Sequence, residues 1–318
     1  MTRLRIGVVG VGHMGRCHVE KVAALREAGA RIDLAGVVDL DAGRAGEVAA
    51  AHASWAAPDA AALFRESDAV IVAVPTLAHH EIVSAALDAD LDVLVEKPIA
   101  HSVEEATDLV ARADRRGRVL RVGHVEWFNA ATRVIRSRVC APRFVEVRRL
   151  GPFPSRGTDV DVVRDLMIHD IDILQQVLGE EPNRIEALGV PVITDRVDIA
   201  NARVSFPSGC IADLTASRVS GAPVRKMHFF QQDGFFSIDF LSQRAWVYRR
   251  VRERDAWPEV EKERIHFEPE DALLMQLRAF VDDVEKRDAP TASAHSAVGA
   301  LRTAQRVIEA IPPQPELG

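Results

Sequence analysis

The chain has 318 residues, of which 47% are hydrophobic and 27% charged, with a formal net charge of −7. This length predicts two domains, each with its own core. The negative net charge argues against a nucleic-acid binder. No apolar run approaches the length of a membrane span, about 18 residues, and the first residues of the sequence are unlike a secretory signal. We therefore expect a soluble protein with no nucleic-acid partner and no membrane partner.

The cysteines indicate the compartment. Cys17, Cys140 and Cys210 are odd in number and scattered along the chain. This usage suits reduced thiols and supplies no CxxC metal framework. We expect a cytoplasmic protein.

The first predicted elements are a strand, a glycine-rich turn and a helix, in "LRIGVVGVGHMGRCHVEKVAALREAG". Gly10 allows a tight turn, Gly12 lets the backbone approach a pyrophosphate, and Gly15 lets the helix pack on the strand. The helix start, with His13 and Met14, offers N–H groups and a positive dipole to phosphates. The pattern predicts a dinucleotide site.

The second strand, "IDLAGVVD", ends in Asp39, 24 residues beyond Gly15. A carboxylate there accepts hydrogen bonds from both adenosine ribose hydroxyls and repels a 2′-phosphate. The cofactor predicted is therefore NAD. The helix predicted after Asp39 carries Arg44, which can approach a 2′-phosphate. How strictly NADP is excluded therefore stays open.

Strands over 69–74, 92–96 and 118–122 follow, with helices starting near His79 and Ser102 between them. Apolar strands alternating with helices predict a doubly wound parallel sheet, an α/β Rossmann domain over residues 1–122. The alternative is such a domain that has lost its cofactor.

At "EKPIAHSVEEA", preceded by "VPTLAHHEIVSAAL", the chain resembles the family of glucose-fructose oxidoreductase and inositol dehydrogenase, called Gfo/Idh/MocA. The resemblance implies that Lys97 lies beside the nicotinamide and the reacting hydroxyl. Independently, a strand end opens onto the ligand crevice, where an ammonium can polarise a substrate oxygen; the alternative is a surface pair of Lys97 with Glu96. The expected cofactor contacts also include Pro75, Thr76, His79 and Glu96.

The segment "DLMIHDIDIL" predicts a nearly all-apolar helix, part of a longer helix over 160–178. At 100° per residue, Asp165, His169 and Asp172 fall in a stripe about 60° wide, facing either a buried ionic partner or a ligand. The family resemblance implies that the stripe faces a ligand, with His169 as general base and Asp165 supporting it. Asp172 is a candidate substrate contact, Asp170 lies off the stripe in a structural role, and a metal site here is the disfavoured alternative.

Together, "RGTDVDVVRDLMIHD" and "GHVEWFNAA" look like the family branch that oxidises the 3-hydroxyl of UDP-N-acetylglucosamine. The chain departs from that branch at Trp127, where arginine is usual, and at Ala130, where proline is usual. Arg156 and Arg164 are candidates for a diphosphate, or else solvated arginines. Trp127 and Asn129 are candidate substrate contacts, or else packing residues.

Residues 123–318 predict a substrate-binding and oligomerisation domain. The runs "NRIEALGV", "ANARVSF", "GCIADLTAS", "KMHFFQQ", "FFSIDF" and "AWVYRR" indicate strands, with a hairpin at 206–209 and closing helices near 269–287 and 293–311. This pattern predicts an α+β domain with an open, largely antiparallel sheet. In the resembled family the free face forms a dimer or tetramer interface.

The sequence thus predicts a sugar dehydrogenase, a nucleotide-sugar being the favoured substrate. One rival keeps the chemistry but acts on inositol, a free sugar, a sugar acid or, in the reductive direction, a keto-sugar. The other is a nonenzymatic NAD-binding regulator.

Overall fold

A computed structural model of the protein describes residues 3–153, 160–251, 259–268, 270–287 and 292–313. The chain divides into two units, residues 1–125 with 271–298, and residues 126–270 with 299–318.

The first unit is built on a five-stranded parallel sheet with the strand order β2-β1-β3-β4-β5. Its strands are β1 Leu4–Val9, β2 Ile32–Val38, β3 Ala69–Val72, β4 Asp92–Val95 and β5 Leu120–Val122, joined through α1 His13–Glu27, α2 Ala42–Ala51, α3 Ala60–Arg65, α4 His79–Asp88 and α5 Val103–Arg116. Strands β3 and β4 are buried at every position. The predicted doubly wound sheet is confirmed.

Helix α8, Ala272–Lys286, also belongs to this unit. Its N-cap, Asp271, pairs with Lys21 of α1 at 2.7 Å, and Leu277 and Phe280 are fully buried in the core that α1 lines. The sequence pattern predicts this helix as part of the second domain, residues 123–318. Its apolar face instead packs on α1 and joins it to the first unit.

The second unit is built on an eight-stranded sheet with the strand order β13-β12-β11-β10-β6-β9-β8-β7. Its strands are β6 Phe144–Leu150, β7 Arg184–Val190, β8 Ile199–Ser205, β9 Ile211–Ser217, β10 Val224–Gln231, β11 Gly234–Asp239, β12 Arg244–Val251 and β13 Glu259–Ile265. All the pairings except that of β6 with β9 are antiparallel. The expected open, largely antiparallel sheet is confirmed, as is the hairpin at 206–209, where Gly209 has φ +83°.

Three further helices are α6 Thr132–Arg138, α7 Ile168–Leu178 and α9 Ala292–Glu309. A π turn over Val163–Met167 precedes α7. The helix predicted over 160–178 is therefore regular only in its second part.

Candidate active site

The glycine turn joins β1 to α1 at the carboxyl end of the parallel sheet. Gly10 has φ +84°, and an added Cβ would lie 2.6 Å from the carbonyl oxygen of Ala73. A Cβ on Gly15 would overlap the carbonyl oxygen of Gly10, so α1 packs directly on the turn. Gly12 is the N-cap of α1, and a Cβ there would meet nothing within 4 Å.

The start of α1 has the features that a diphosphate needs. His13 and Met14 are exposed in its first turn, and no side chain of the described residues caps this end. The N–H groups and the positive end of the helix dipole therefore face open space beside Gly12. The residues present fit a dinucleotide.

Asp39 lies just beyond β2, beside this turn. Its carboxylate accepts hydrogen bonds from the N–H groups of Val11 at 2.8 Å and Asp41 at 2.9 Å, which fix its position. Arg44 lies 3.4 Å from Asp39 and 3.2 Å from Asp41. A fixed carboxylate suits two ribose hydroxyls, and Arg44 already has two acidic partners.

Two exposed leucines are candidates that sequence reasoning missed. Leu40 follows β2 and Leu77, 76% exposed, follows β3. Because β2 and β3 pair on either side of β1, both leucines follow strands that flank the glycine turn. Exposed apolar side chains at this place suit the faces of an adenine ring.

Glu96, Lys97 and Pro98 leave the carboxyl end of β4. The Glu96 N–H donates to the carbonyl of Val72 at 2.9 Å, which extends the pairing with β3 by one residue. Lys97 therefore stands just beyond the sheet, half-buried, and the Lys97–Pro98 peptide bond is cis.

His79 supports this turn from the start of α4. Its ring is buried, with Nδ1 2.8 Å from the carbonyl oxygen of Pro98 and Nε2 2.9 Å from that of Val74. Burial lowers the pKa of His79 below its usual value, although these carbonyls and the charge of Glu96 act in the opposite direction. Each ring nitrogen thus lies within hydrogen-bond distance of a main-chain carbonyl oxygen, and the neutral ring donates to one of the two. Pro75 and Thr76 precede it, and Thr76 begins a short 3₁₀ turn.

In the second unit, the predicted acidic and histidine residues lie on the π turn and α7. Asp165 is in the π turn and His169 in the first turn of α7, both half-buried. Because a π turn bonds residue i to i+5, Asp165 departs from the ideal 100° stripe, and such turns are frequent at functional sites. Asp172 is 1% exposed and accepts a hydrogen bond from Gln176 at 2.7 Å.

Asp170, two residues before Asp172 and therefore on the opposite face of α7, belongs to a buried ionic cluster. Arg149 of β6 donates to both of its carboxylate oxygens, at 2.7 and 2.8 Å, and to Glu126 at 2.8 Å. Arg225 also binds Glu126, at 3.1 Å. Burial alone would lower the pKa of Arg149, but the charges and hydrogen bonds of Asp170 and Glu126 raise it. The cluster fixes the rotation of α7 about its axis.

The segment 125–132 contains the expected substrate contacts. The Trp127 ring is half-buried, with the Arg136 guanidinium 5.2 Å from its centre. Asn129 is buried; its amide donates to the carbonyl of Phe240 at 3.0 Å and accepts from the N–H of Ala131 at 3.0 Å. The Asn129 side chain is therefore engaged with the main chain.

Of the two arginines predicted to bind a diphosphate, the structure describes one. Arg164 binds Asp161 at 3.5 Å and Gln305 at 2.5 Å. Arg156 lies outside the described residues.

In the part of the chain that the structure describes, no group of three or more His, Cys, Asp and Glu side chains is arranged to hold a metal ion. No helix in those ranges combines the length and apolar character needed to cross a membrane.

The fold and the glycine turn define an NAD-binding oxidoreductase of the Rossmann class. Residues 4–124 match the model of the oxidoreductase family with an NAD-binding Rossmann fold, and residues 131–237 match the GFO/IDH/MocA C-terminal domain. The chain belongs to the Gfo/Idh/MocA family.

Known relatives differ in their reported substrates. The chain is 39% identical over 286 residues, 89% of this chain and 90% of the relative, to UDP-N-acetylglucosamine 3-dehydrogenase from Acidithiobacillus ferrooxidans. A solved structure of that enzyme, GnnA, aligns with a TM-score of 0.90 at 36% identity over 98% of each chain. Inositol 2-dehydrogenase from Mycolicibacterium smegmatis is 31% identical over 57% of this chain and 54% of its own.

Proposed function

We propose that the protein is an NAD-dependent dehydrogenase that oxidises the 3-hydroxyl of UDP-N-acetylglucosamine to a ketone. The observation that carries this proposal is the similarity over nine-tenths of the chain to an enzyme of that name. The presence of Lys97, Asp165 and His169, on a chain of a dehydrogenase family, supports it further.

The proposed cofactor site consists of residues of the first unit. The glycine turn and the start of α1 hold the diphosphate, Asp39 accepts hydrogen bonds from the ribose, and Leu40 and Leu77 contact the adenine. Pro75, Thr76 and Glu96 complete the cofactor contacts. NAD, when bound, accepts hydride from the carbon that is oxidised.

The chain's own residues handle the hydroxyl. His169 removes its proton as general base, while Asp165 supports the resulting imidazolium. The Lys97 ammonium donates a hydrogen bond to the same oxygen and stabilises its growing negative charge. Trp127, Asn129, Arg156 and Asp172 contact the substrate in this proposal.

The second candidate function is oxidation of inositol or a related polyol. The similarity to inositol 2-dehydrogenase favours it, since the same proton and hydride chemistry serves any ring hydroxyl. The alignment covers little more than half of each chain, which ranks it second.

A substrate panel tests both functions. Purified protein with NAD is assayed for NADH formation on UDP-N-acetylglucosamine, other UDP-sugars, N-acetylglucosamine and myo-inositol. We expect turnover on UDP-N-acetylglucosamine alone and, in a thermal-shift series with NAD, stabilisation that grows with UDP-sugar concentration. Turnover on inositol alone would establish the second function, and NAD binding without turnover of any compound would favour a regulator.

We also propose a cytoplasmic homodimer or homotetramer. All three cysteines lie in the described residues and none forms a disulfide, which supports a reducing compartment. On the open face of the eight-stranded sheet, an aromatic row crosses β6, β10, β11 and β12. Its members are Phe144, Phe230, Phe235 and Tyr248, with ring centres 4.7 to 5.5 Å apart.

A further inference from the structure

His18 is a buried polar residue without an assigned role. It lies on α1, and its ring is 0% exposed. Its Nε2 is 2.7 Å from Oε1 of Glu96, whereas Nδ1 is buried with no hydrogen-bond partner among the described residues. Burying a polar ring is costly unless its hydrogen bonds are made. Within the described ranges, the only side-chain hydrogen bond of His18 is to Glu96, the residue immediately before Lys97.

Glu96 is confined on its other side by Gly123. A Cβ on Gly123 would lie 2.9 Å from Oε2 of Glu96 and 3.1 Å from its Cα. The N–H of Gly123 donates to the carbonyl of Val95 at 2.8 Å, which holds the backbone there. One carboxylate oxygen of Glu96 thus bonds to His18, while the other packs against the end of β5.

We propose that His18 is a positioning residue for the dehydrogenase reaction, acting through Glu96 to keep an ionised carboxylate beside Lys97. This proposal rests on the proposed function, because it concerns the lysine that binds the substrate oxygen. The negative charge of the carboxylate attracts the Lys97 ammonium and holds it where it donates a hydrogen bond to that oxygen, a restraint that is lost when Glu96 is protonated.

The charges around Glu96 support this role. Burial alone would raise the pKa of Glu96, but the hydrogen bond and charge of His18, together with the charge of Lys97, lower it below its usual value. The titratable groups near Glu96 are His18 from α1, Lys97 along the chain and His79 from α4. From β5, Gly123 contributes no side chain, and His124 follows it.

The first experiment compares the pH dependence of kcat/KM in wild type, His18→Leu and His18→Gln. Without His18, burial dominates and the pKa of Glu96 rises, so protonation of Glu96 adds to that of the proposed base, and the acid limb of His18→Leu should steepen and move to higher pH. Below that limb, kcat/KM should fall about tenfold for each pH unit that the limb moves. Glutamine keeps an N–H donor, so His18→Gln should restore most of the wild-type profile. Profiles of His18→Leu and wild type that superimpose would overturn the proposal.

A double variant distinguishes an effect of His18 that acts through Glu96 from a general loss of structure. In a Glu96→Gln background there is no carboxyl to titrate, so His18→Leu should no longer move the acid limb, and the two changes should be strongly non-additive. Additive effects would contradict action through Glu96.

The second experiment needs no substrate, which separates this proposal from the proposed function. A carboxyl with a lowered pKa adds stability above its unfolded-state pKa of about 4.3 and loses it as the pH falls through the folded-state pKa. The deficit in unfolding free energy of His18→Leu should therefore be largest near neutral pH and shrink on acidification. A deficit that is constant with pH overturns the pairing, whereas a wild type inactive on every sugar overturns the proposed function alone.

Discussion

One ammonium group, that of Lys97, has the electrophilic role in the proposed reaction. Its neighbours are fixed by residues from other elements, Glu96 by His18 and Pro98 by His79. Replacing Lys97 alone therefore leaves the turn intact. A loss of activity in such a variant reports on chemistry rather than on folding.

Lys97→Met and His169→Asn should each lower kcat by about 10²- to 10⁴-fold, because each removes a group that we propose acts on the reacting oxygen. NAD affinity should change little, since the glycine turn and Asp39 are untouched. Steady-state kinetics and fluorescence titration with NAD measure the two effects. Lys286→Met, at a lysine 63% exposed on α8, is the matched control. Wild-type turnover in both active-site variants would refute the assignment.

At this scale, the sequence predicted residues whose roles depend on local pattern. Gly10 and Gly15 occupy fixed places in a strand-turn-helix unit, so their spacing was sufficient to predict the tight turn and the close packing of the helix. His18 was missed because its partner Glu96 lies 78 residues away. Arg149 was missed for the same reason, since its two carboxylate partners come from different segments.

Among the elements, α7 is positioned by charge as well as by apolar packing. Arg149 joins Asp170 of α7 to Glu126 of the segment that carries Trp127. His169 is the neighbour of Asp170 along the helix, so the cluster also sets the direction of the proposed base. A buried cluster of this kind is costly to break, because removing one member leaves unpaired charge.

Arg149→Met should destabilise the protein by about 3–5 kcal/mol, since it leaves Asp170 and Glu126 buried without their shared partner. Arg148→Met, at an exposed position of the same strand, should change stability by no more than about 0.5 kcal/mol. Urea unfolding followed by fluorescence measures both. Equal effects of the two changes would show that the cluster does not contribute to stability.

Two strands of the second sheet escaped prediction for opposite reasons. Strand β6, "FVEVRRL", is central, yet it places the charged Arg149 on the buried face. Strand β13, "EVEKERI", is an edge strand whose first six residues are exposed. Charges at an edge discourage unwanted pairing, and they also remove the alternation that identifies a strand. The six strands from β7 to β12 carry enough alternating apolar residues to be recognised.

At the scale of the whole molecule, we expect the protein to form an oligomer through the open face of the second sheet. Phe230 is 38% exposed there and stacks on Phe235 at 4.7 Å, and Lys262 lies 5.3 Å from the ring centre of Tyr248. An aromatic row with an exposed member and a neighbouring charge is typical of protein interfaces.

The double change Phe230→Glu with Phe235→Glu should split the oligomer, because it puts negative charges into an interface that would exclude water. Light scattering after size exclusion should give a dimer or tetramer for wild type and a smaller species for the variant. Trp55→Glu, at a similarly exposed aromatic residue of the first unit, should leave the mass unchanged. A monomeric wild type would contradict the proposed assembly.

The return of residues 271–298 to the first unit has a consequence for how the protein is made. The ribosome releases the whole parallel sheet first, but Leu277 and Phe280, which complete its core, emerge only after all the strands of the second sheet. Until then α1 has an uncovered apolar face. The cofactor-binding unit is therefore not a module that a fragment ending after β5 can reproduce, because its final form depends on a helix that is made after the second sheet.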